Sequence, residues 1–393
     1  MASSNGGPLK GLKIVEMAGI GPGPFCGMLL SDLGAEVVRV DRVEPSGLGV
    51  AIDQKFQVYL RGRPSVAVDL KNPKAVEVVL RLIEKADAMF EGFRPGVMER
   101  LGLGPDVCLA RNKRLVYGRM TGWGQNGPMA PRAGHDLNYI ALSGALHNIG
   151  EKGRKPVPPL NLIGDFGGGG LLLAFGLLAA VFEARSSGQG QVVDVAMAEG
   201  AAMLAAPAYG HRAAGIMTDE RGGNMLDGGS HFYNTYETRD GKWVSVASVE
   251  DKFYRILLDK LGLDPKSLPG QMDKSQWPAM QKKFADIFKT KTRDEWCRVL
   301  GDTDACFAPV LSLSEAPDHP HNKARGAFID VSGVRQPAPT PRFSRSVPRT
   351  PAAGGKPGSN TEEGLAAWGF ARAEIDALLR DGVVGWRGAD QKK

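Results

Sequence analysis

The first hundred residues alternate short runs of β-branched residues with apolar patterns of helical spacing. Runs typical of strands are Lys13 to Met17, Glu36 to Val40, Ser65 to Val68 and Ala88 to Glu91. The segments Phe25 to Leu33 and Ala75 to Lys85 carry the apolar spacing of helices. Strands that alternate with helices predict βαβ units, because a parallel pair needs a long crossover connection. The sequence therefore predicts an α/β fold around a parallel sheet.

Composition narrows the class of protein and the partners to be expected. The chain has 393 residues, enough for two domains, with 42% hydrophobic and 23% charged residues, as in a soluble globular protein. The net charge is +6, but the sequence has no motif of a nucleic-acid-binding fold. A small anionic ligand explains this modest positive charge equally well. Four cysteines without CxxC spacing predict a reducing compartment, and no metal site is expected.

Targeting and membrane segments are not expected from the sequence. The polar start, Met1 to Pro8, lacks the apolar run of a secretory signal, and the last residues, Asp390 to Lys393, do not match a peroxisomal address. Leu171 to Phe182 is strongly apolar but shorter than a membrane span, so it predicts a buried core helix. We expect a cytoplasmic protein without a membrane span.

The remainder of the chain divides by composition. After a second apolar helix, Met197 to Ala206, the segment Gly210 to Gly229 becomes rich in glycine, and an Asp-Gly turn then joins His231 to Tyr236 with Trp243 to Ala247 as a hairpin. Helices are predicted over Asp251 to Leu261, Pro278 to Phe288 and Glu374 to Arg380, and Asn360 with Glu363 is typical of the start of another helix. The segment Gln336 to Pro357 is predicted to be an extended arm outside the core. The predicted boundaries are a large domain over 1–207, a linker over 208–230, a smaller α+β domain over 231–313, and an arm with a C-terminal return over 314–393.

A glycine-rich turn after the first strand nearly matches a dinucleotide-binding fingerprint. Gly19 to Pro24 opens a helix, and Asp41 ends the next strand. The third glycine of the fingerprint is missing, and Pro22 and Pro24 remove two backbone N–H donors that would hold a pyrophosphate. A turn that lets strand and helix pack closely is the preferred interpretation, and a nicotinamide-dependent enzyme is the less favoured one.

Two later motifs combine acid/base side chains with glycine. Gly134-His135-Asp136 is followed, further along the chain, by Gly164-Asp165-Phe166 and four consecutive glycines, 167–170. An imidazole and a carboxylate can act as two acid/base groups around one carbon, and exposed amides can stabilise a developing oxyanion. Taken singly, His135 also fits a turn histidine, and Asp165 the N-cap of a helix that begins near Gly169. Together, the motifs indicate proton abstraction next to a carbonyl.

These motifs resemble the catalytic segments of α-methylacyl-CoA racemases, in the CaiB/BaiF (class III CoA-transferase) superfamily. Further stretches that resemble this family, in the same order along the chain, are GPGP at 21–24, DLGAEVVRVDR at 32–42, EGFRPGVMERLGLGP at 91–105, MTGWGQNGP at 120–128, LDGG at 226–229 and PRFSRS at 341–346. The resemblance implies a Rossmann-like large domain with a smaller α+β domain, a C-terminal tail that returns to the large domain, and an interlocked homodimer with active sites near the subunit interface.

The resemblance also implies roles for individual residues. His135 and Asp165 would be the two acid/base groups, Glu250 would pair with the histidine, and the backbone amide of Asp136, near the start of a helix, would bind the enolate oxygen. Residues implied in binding coenzyme A and substrate are Arg42, Val68, Asp69, Leu70, Lys71, Gly92, Phe93, Arg94, Arg100, Gly134, His135, Asp136, Leu137, Asn138 and Tyr139. Met197, Met203, Met217 and Met225 are candidates for an acyl-binding surface and equally for ordinary core residues.

The function expected is an isomerase of lipid metabolism that interconverts (R)- and (S)-2-methylacyl-CoA thioesters through an enolate. It would need no metal and no redox cofactor, since coenzyme A belongs to the substrate. The alternative is a class III CoA transferase, in which Asp165 would be the nucleophile. His135 favours the racemase, because the CoA transferases of this superfamily usually carry Tyr or Phe at the corresponding position. A CoA-binding protein without catalysis is a third possibility.

Overall fold

The computed structural model describes residues 6–45, 47 and 52–387. Its chain forms two compact units, which we call the sheet unit (the described residues of 1–143, 160–204 and 326–393) and the small unit (144–159 and 205–325). The predicted boundaries differ from these units, since 144–159 and 314–325 lie in the small unit. A contact between distant segments explains the first difference: the guanidinium group of Arg221 donates a hydrogen bond to the carbonyl of His147 at 2.6 Å. Such a pairing of distant segments leaves no mark in composition.

A six-stranded parallel sheet forms the centre of the sheet unit. Its strands are β1 (Lys13–Met17), β2 (Glu36–Asp41), β3 (Ser65–Ala67), β4 (Ala88–Glu91), β5 (Val116–Thr121) and β6 (Val192–Ala196). Their order is β3-β2-β1-β4-β5-β6, and all five pairings are parallel. The predicted Rossmann-like α/β fold is thereby confirmed, although β5 and β6 were not predicted from the sequence.

The helices in chain order are α1 (Pro22–Asp32), α2 (Pro73–Glu84), α3 (Val97–Arg100), α4 (Pro105–Arg111), α5 (Asp136–Leu142), α6 (Leu172–Ser187), α7 (Met197–Leu204), α8 (Ala206–Ala213), α9 (Asp251–Lys260), α10 (Trp277–Phe288), α11 (Arg293–Leu300), α12 (Pro320–Ala324), α13 (Thr361–Ala367) and α14 (Arg372–Arg380). A π-helical segment, Leu162–Leu171, runs directly into α6. Short 3-10 turns lie at Gln54–Phe56, Val58–Leu60, Leu146–Asn148, Pro265–Ser267, Lys274–Gln276 and Ala316–Asp318.

The sheet is buried on both faces, because neighbouring side chains along a strand point to opposite sides. In β1, Ile14 packs in the cluster that contains Leu173 and Leu177 of α6. Val15, one residue on, packs in the cluster that contains Val79 and Ile83 of α2. These two clusters fix the register of the strands and therefore the position of every loop at their carboxyl ends.

The strand order reverses between β1 and β4, which are neighbours in the sheet but not in sequence. Connections from the two halves of such a sheet leave in opposite directions, so a crevice opens at the carboxyl ends of these strands. The loop 19–21 follows β1, and the loop 92–95 follows β4. Both loops therefore meet at this crevice.

The helix predicted at Leu171 is longer and more exposed than expected. With the π-helical segment it runs without a break over Leu162–Ser187, the stretch of the described chain that is long and apolar enough to cross a membrane by length and composition, with 44% of its apolar window buried. Phe175 and Phe182 are 70% and 81% exposed. The prediction of a buried core helix is thus wrong for this face, because apolar composition alone does not say which partner covers it.

The small unit is an α+β module, as predicted. An antiparallel sheet joins β7 (Tyr233–Glu237), β8 (Trp243–Ala247) and β9 (Phe307–Val310). Gly241 adopts a φ of +71° in the Asp-Gly turn, a conformation that glycine reaches without strain. Aromatic side chains fill its core, among them Phe232, directly before β7, and the helical residues Phe284 and Trp296.

The C-terminal part of the chain belongs to the sheet unit. It includes an antiparallel pair, β10 (Phe328–Val331) and β11 (Val334–Pro337). Gln336 in β11 is only 3% exposed and accepts a hydrogen bond from Arg61 at 2.8 Å, so the predicted arm outside the core does not begin there. Further on, the amide of Asn360 donates to the carbonyl of Ser65 in β3 at 3.0 Å.

Candidate active site

A cavity of about 590 Å³ opens at the carboxyl ends of β1, β4 and β5, at the crevice that the strand order predicts. We call it the site cavity. Its wall collects residues from loops that lie far apart in the sequence: Met17, Gly19 to Gly23, Ile52, Tyr59, Gly92 to Pro95, Met120 to Trp123, Ala130, Arg132 to His135, Tyr139, Asn161, Asp165, Phe166 and Met197. Both of the predicted acid/base residues, His135 and Asp165, are in this wall.

Asp165 lies in the first turn of the π-helical segment and is partly buried. Its Oδ2 atom accepts a hydrogen bond from Nδ2 of Asn161 at 3.0 Å. On its other side is Gly21, where a Cβ atom would lie only 3.0 Å from Oδ2 of Asp165. The glycine-rich turn therefore leaves room for a carboxylate of the same chain.

The pKa of the Asp165 carboxyl is raised above its ordinary value. Burial is the largest cause, the hydrogen bond from Asn161 acts against it, the nearby negative charge of Asp136 raises the pKa further and His135 lowers it. A carboxyl group held in this way can carry a proton at a higher pH than an exposed aspartate. Asp165 is thus able to act as an acid as well as a base.

His135 is exposed and directly precedes α5. Its backbone N–H donates to Oδ1 of Asn138 at 3.1 Å, which fixes the start of the helix. The Tyr139 hydroxyl donates to the carbonyl of Gly134, and its ring meets Trp123 edge-on at 4.8 Å. The segment that carries His135 is therefore anchored from both sides while the imidazole remains open to the cavity.

Asp136 is the first residue of α5 and is 5% exposed. Within the part of the chain that the structure describes, its backbone N–H has no acceptor, as is usual in the first turn of a helix. The helix dipole favours an anion at this position. The residue predicted as the oxyanion donor is thus placed at a helix N-terminus, as expected.

A second cavity, of about 380 Å³, opens beyond the carboxyl ends of β2 and β3 and shares Met17 and Phe93 with the site cavity. We call it the outer cavity. Predicted coenzyme A residues in its wall are Arg42, Val68, Asp69, Leu70, Lys71 and Phe93. Gly92, Arg94, Gly134, His135 and Tyr139 line the site cavity instead, and Phe93 lines both cavities. These predicted binding residues therefore divide between two cavities with a common wall.

Other predicted site residues are placed elsewhere. Arg100 is exposed and lines neither cavity, and the same holds for Leu137 and Asn138 on α5. Glu250 belongs to the small unit, where it precedes α9. Of the four candidate methionines, Met197 lines the site cavity, whereas Met203 is exposed, Met217 lines a pocket of the small unit and Met225 packs against the core of that unit.

Several residues of the site were not predicted from the sequence. Asn161 contacts Asp165 across one helical turn, a spacing of four residues that could have indicated the pair. Tyr59 and Ile52 reach the cavity from a segment without a motif, so no local signal marks them. Among residues 6–45, 47 and 52–387, no group of three His, Cys, Asp or Glu side chains could hold a metal ion.

Comparisons with known proteins agree with the fold. Residues 9–360 match the CoA-transferase family III. The chain is 47% identical to the alpha-methylacyl-CoA racemase of Mus musculus, over 96% of this chain and 97% of the relative, and 44% identical to that of Homo sapiens, again over 96% and 97%. A CaiB/BaiF family protein from Brucella suis superposes with a TM-score of 0.79 at 27% identity, covering 95% of this chain and 100% of the other. On these grounds the chain belongs to the CoA-transferase family III, as the resemblance of its motifs predicted.

Proposed function

We propose that the chain is an α-methylacyl-CoA racemase, which interconverts (R)- and (S)-2-methylacyl-CoA thioesters. The observation that carries this proposal is the common cavity of His135 and Asp165, next to the backbone N–H of Asp136, which has no acceptor among the described residues. Removal of a weakly acidic α-proton requires that charge on the thioester oxygen be stabilised as it develops. The N-terminus of α5 supplies the donor for that oxygen.

The reaction moves one proton off C2 and another one on. One of the two groups, His135 or Asp165, takes the C2 proton as its base, and the C2 electron pair moves into the enolate. The other group, which starts protonated, then delivers its proton to the opposite face of C2, and the carbonyl re-forms. In the reverse direction the roles are exchanged. Histidine can act as acid or as base near neutral pH. The raised pKa of Asp165, caused mainly by burial, suits this carboxyl to the role of proton donor.

The coenzyme A part of the substrate would occupy the outer cavity. Arg42 in its wall offers a guanidinium group, which binds phosphate in a bidentate manner and stacks on planar bases. Because the outer cavity shares Phe93 with the site cavity, one extended ligand can reach from the first to the second. In this scheme neither a metal nor a redox cofactor takes part, and the role of Glu250 stays a prediction from the family resemblance.

A homodimer with active sites near its interface completes the proposal. On the surface of the sheet unit, Leu171, Phe175 and Phe182 form an apolar stripe, since their spacing of four and seven residues places them on one helix face. Contiguous exposed apolar residues are typical of interaction surfaces. The stripe begins where the segment that carries Asp165 ends. A second copy seated there would lie close to the site.

The free thiols of the four cysteines support a reducing compartment such as the cytoplasm.

The decisive experiment is incubation with (R)- or (S)-2-methylacyl-CoA in D₂O, without added nicotinamide, flavin or metal. We expect deuterium at C2 together with loss of optical purity. His135→Gln and Asp165→Asn should each lower turnover by about 10²-fold or more, the usual scale for a positioned acid or base, while coenzyme A binding persists. Retention of the C2 hydrogen and of the configuration across a panel of acyl groups would contradict the proposal.

Trapping distinguishes the racemase from the transferase alternative. If Asp165 were a nucleophile, it would form a mixed anhydride and then a CoA thioester, which hydroxylamine or borohydride would trap during turnover. Peptide mass analysis should find Asp165 unmodified, and a free carboxylate acceptor should yield no new CoA ester. A modified Asp165 together with stoichiometric transfer to an acceptor acid would establish the transferase instead.

A further inference from the structure

Asp136 has a side chain whose placement the oxyanion role of its backbone does not explain. Its Oδ2 atom accepts a hydrogen bond from the backbone N–H of Asp165 at 2.7 Å. Its Oδ1 atom is buried and has no hydrogen-bond partner in the described part of the chain. The carboxylate is therefore turned away from solvent and towards the backbone of the other acid/base segment.

The close approach depends on the residue before Asp165. A Cβ atom at Gly164 would lie 2.5 Å from Oδ2 of Asp136, so that any other residue here would force the carboxylate to move. The first glycine of the Gly-Asp-Phe motif thus makes room for the Asp136 carboxylate. Two motifs far apart in the sequence are joined here by one hydrogen bond.

A carboxylate in this position is costly for the fold. Burial of a charged group with a single hydrogen bond costs free energy unless a cation compensates it. No Arg, Lys or His side chain forms an ion pair with Asp136 among residues 6–45, 47 and 52–387. An asparagine would provide the same acceptor atom for the Asp165 amide without the charge. The charge itself is therefore the feature that requires an explanation.

The surroundings of Asp165 show what this charge can act on. Titratable or charged side chains near Asp165 line the site cavity or contact the π-helical segment: His135, Asp136, Tyr139, Arg94, Arg132 and Tyr59. The other elements packed on that segment, α1, α6, α7, β5 and β6, are fully described and place none of their titratable side chains in the cavity wall. Asp136 is thus the negative charge closest to the backbone of Asp165.

We propose that Asp136 is a positioning residue for Asp165: its buried carboxylate fixes the backbone at Asp165 and supplies the negative charge against which Asp165 retains a proton. This inference rests on the acid/base role of Asp165 in the proposed racemase. A pair of bases that exchange roles must hold one proton between them, and like charges at close range favour the protonated form of one partner. The raised pKa of Asp165, for which burial is the main cause and Asp136 a further one, agrees with this role.

The test compares Asp136→Asn with Asp106→Asn. The asparagine keeps an acceptor for the Asp165 amide but removes the charge, and Asp106 is an exposed acid in the first turn of α4, a matched control for effects on a helix N-terminus. For Asp136→Asn we expect kcat/KM at neutral pH to fall about 10-fold, and both limbs of its pH profile to move to lower pH by about one unit. Asp106→Asn should behave as the unmodified protein.

A second measurement does not depend on activity. In protein labelled with ¹³C at aspartate carboxyls, the Asp165 signal is identified by its absence in Asp165→Asn, and its titration midpoint should fall in Asp136→Asn. If Asp136→Asn does not fold, Asp136→Ser, a smaller neutral acceptor, takes its place. Lower activity with unchanged limbs and an unchanged midpoint would show that Asp136 is only structural and overturn the inference. Full racemisation by Asp165→Asn would instead refute the base assigned in the proposed function, whatever Asp136→Asn does.

Discussion

Replacement of Gly21 by alanine tests the contact between the glycine-rich turn and the carboxylate of Asp165. Gly21 adopts φ +67° and ψ −116°, a region that L-residues with a side chain rarely enter. Its missing Cβ would also lie 3.0 Å from Oδ2 of Asp165. Gly21→Ala therefore combines backbone strain with a steric push on the proposed acid/base group.

The two effects have different magnitudes and different readouts. Backbone strain at a non-glycine residue in such a region costs about 1–3 kcal/mol and lowers the stability of the fold. A comfortable carbon–oxygen contact is about 3.4 Å, so the carboxylate has to move by roughly 0.4 Å. Since a misplacement of about 1 Å can lower turnover about 10²-fold, we expect a loss in kcat of about 10-fold for Gly21→Ala.

Gly11→Ala is the matched control. Gly11 has φ +86°, and a Cβ there would meet nothing within 4 Å. Racemisation and urea unfolding are measured for both variants under conditions in which each is folded. Similar losses of stability, with a loss of kcat confined to Gly21→Ala, are expected. Wild-type kcat in Gly21→Ala, or an equal loss in Gly11→Ala, would refute the reasoning that the turn positions Asp165.

Three further predictions concern binding, stability and assembly. Arg42→Met should raise KM for acyl-CoA with a smaller change in kcat, because a phosphate contact far from C2 is shared by the ground and transition states. Arg100 lies outside both cavities, so Arg100→Met should change KM less than Arg42→Met does. A larger change in KM for Arg100→Met would contradict the assignment of Arg42 to the coenzyme A site. Burial lowers the pKa of His231, which is 1% exposed, to about 4. Because the folded protein binds this proton less well than the unfolded chain, the neutral His231 contributes about 3 kcal/mol to the free energy of unfolding above pH 6.5, and this contribution is lost as the pH falls towards 4. In urea unfolding, the stability of His231→Gln should therefore depend less on pH over this range than that of the unmodified protein. Phe175→Asp on the exposed stripe should shift sedimentation towards monomer, whereas Val107→Asp, at an exposed site on α4, should not.

Local patterns in the sequence were sufficient for much of the sheet unit. Strands β1 and β4 begin and end at the predicted residues, since their β-branched and apolar runs are short and bounded by turn signals. Strand β6 was not predicted, because the charged Asp194 interrupts its short run of valines. Strand β5 is buried throughout but contains Gly118 and Arg119, which weaken its apolar pattern.

The candidate site shows the same division. His135 and Asp165 could be named from the sequence because each stands in a motif with glycine, where chemistry and backbone freedom coincide. Only the packing of loops at the carboxyl ends of the sheet brings the two residues into one cavity. The same packing places Gly21 against the carboxylate of Asp165 and Gly164 against that of Asp136.

The sequence by itself therefore determined the α/β class, the family motifs and the candidates for the acid/base residues, since these depend on local spacing and on side-chain chemistry. The tertiary structure decided which residues meet. It placed Asn161 and Asp136 on Asp165, divided the predicted coenzyme A residues between two cavities, and left the helix face with Phe175 exposed. The physical reason is that burial, charge proximity and the cover of an apolar face are properties of pairs of segments that are distant along the chain, and no window of sequence contains both members.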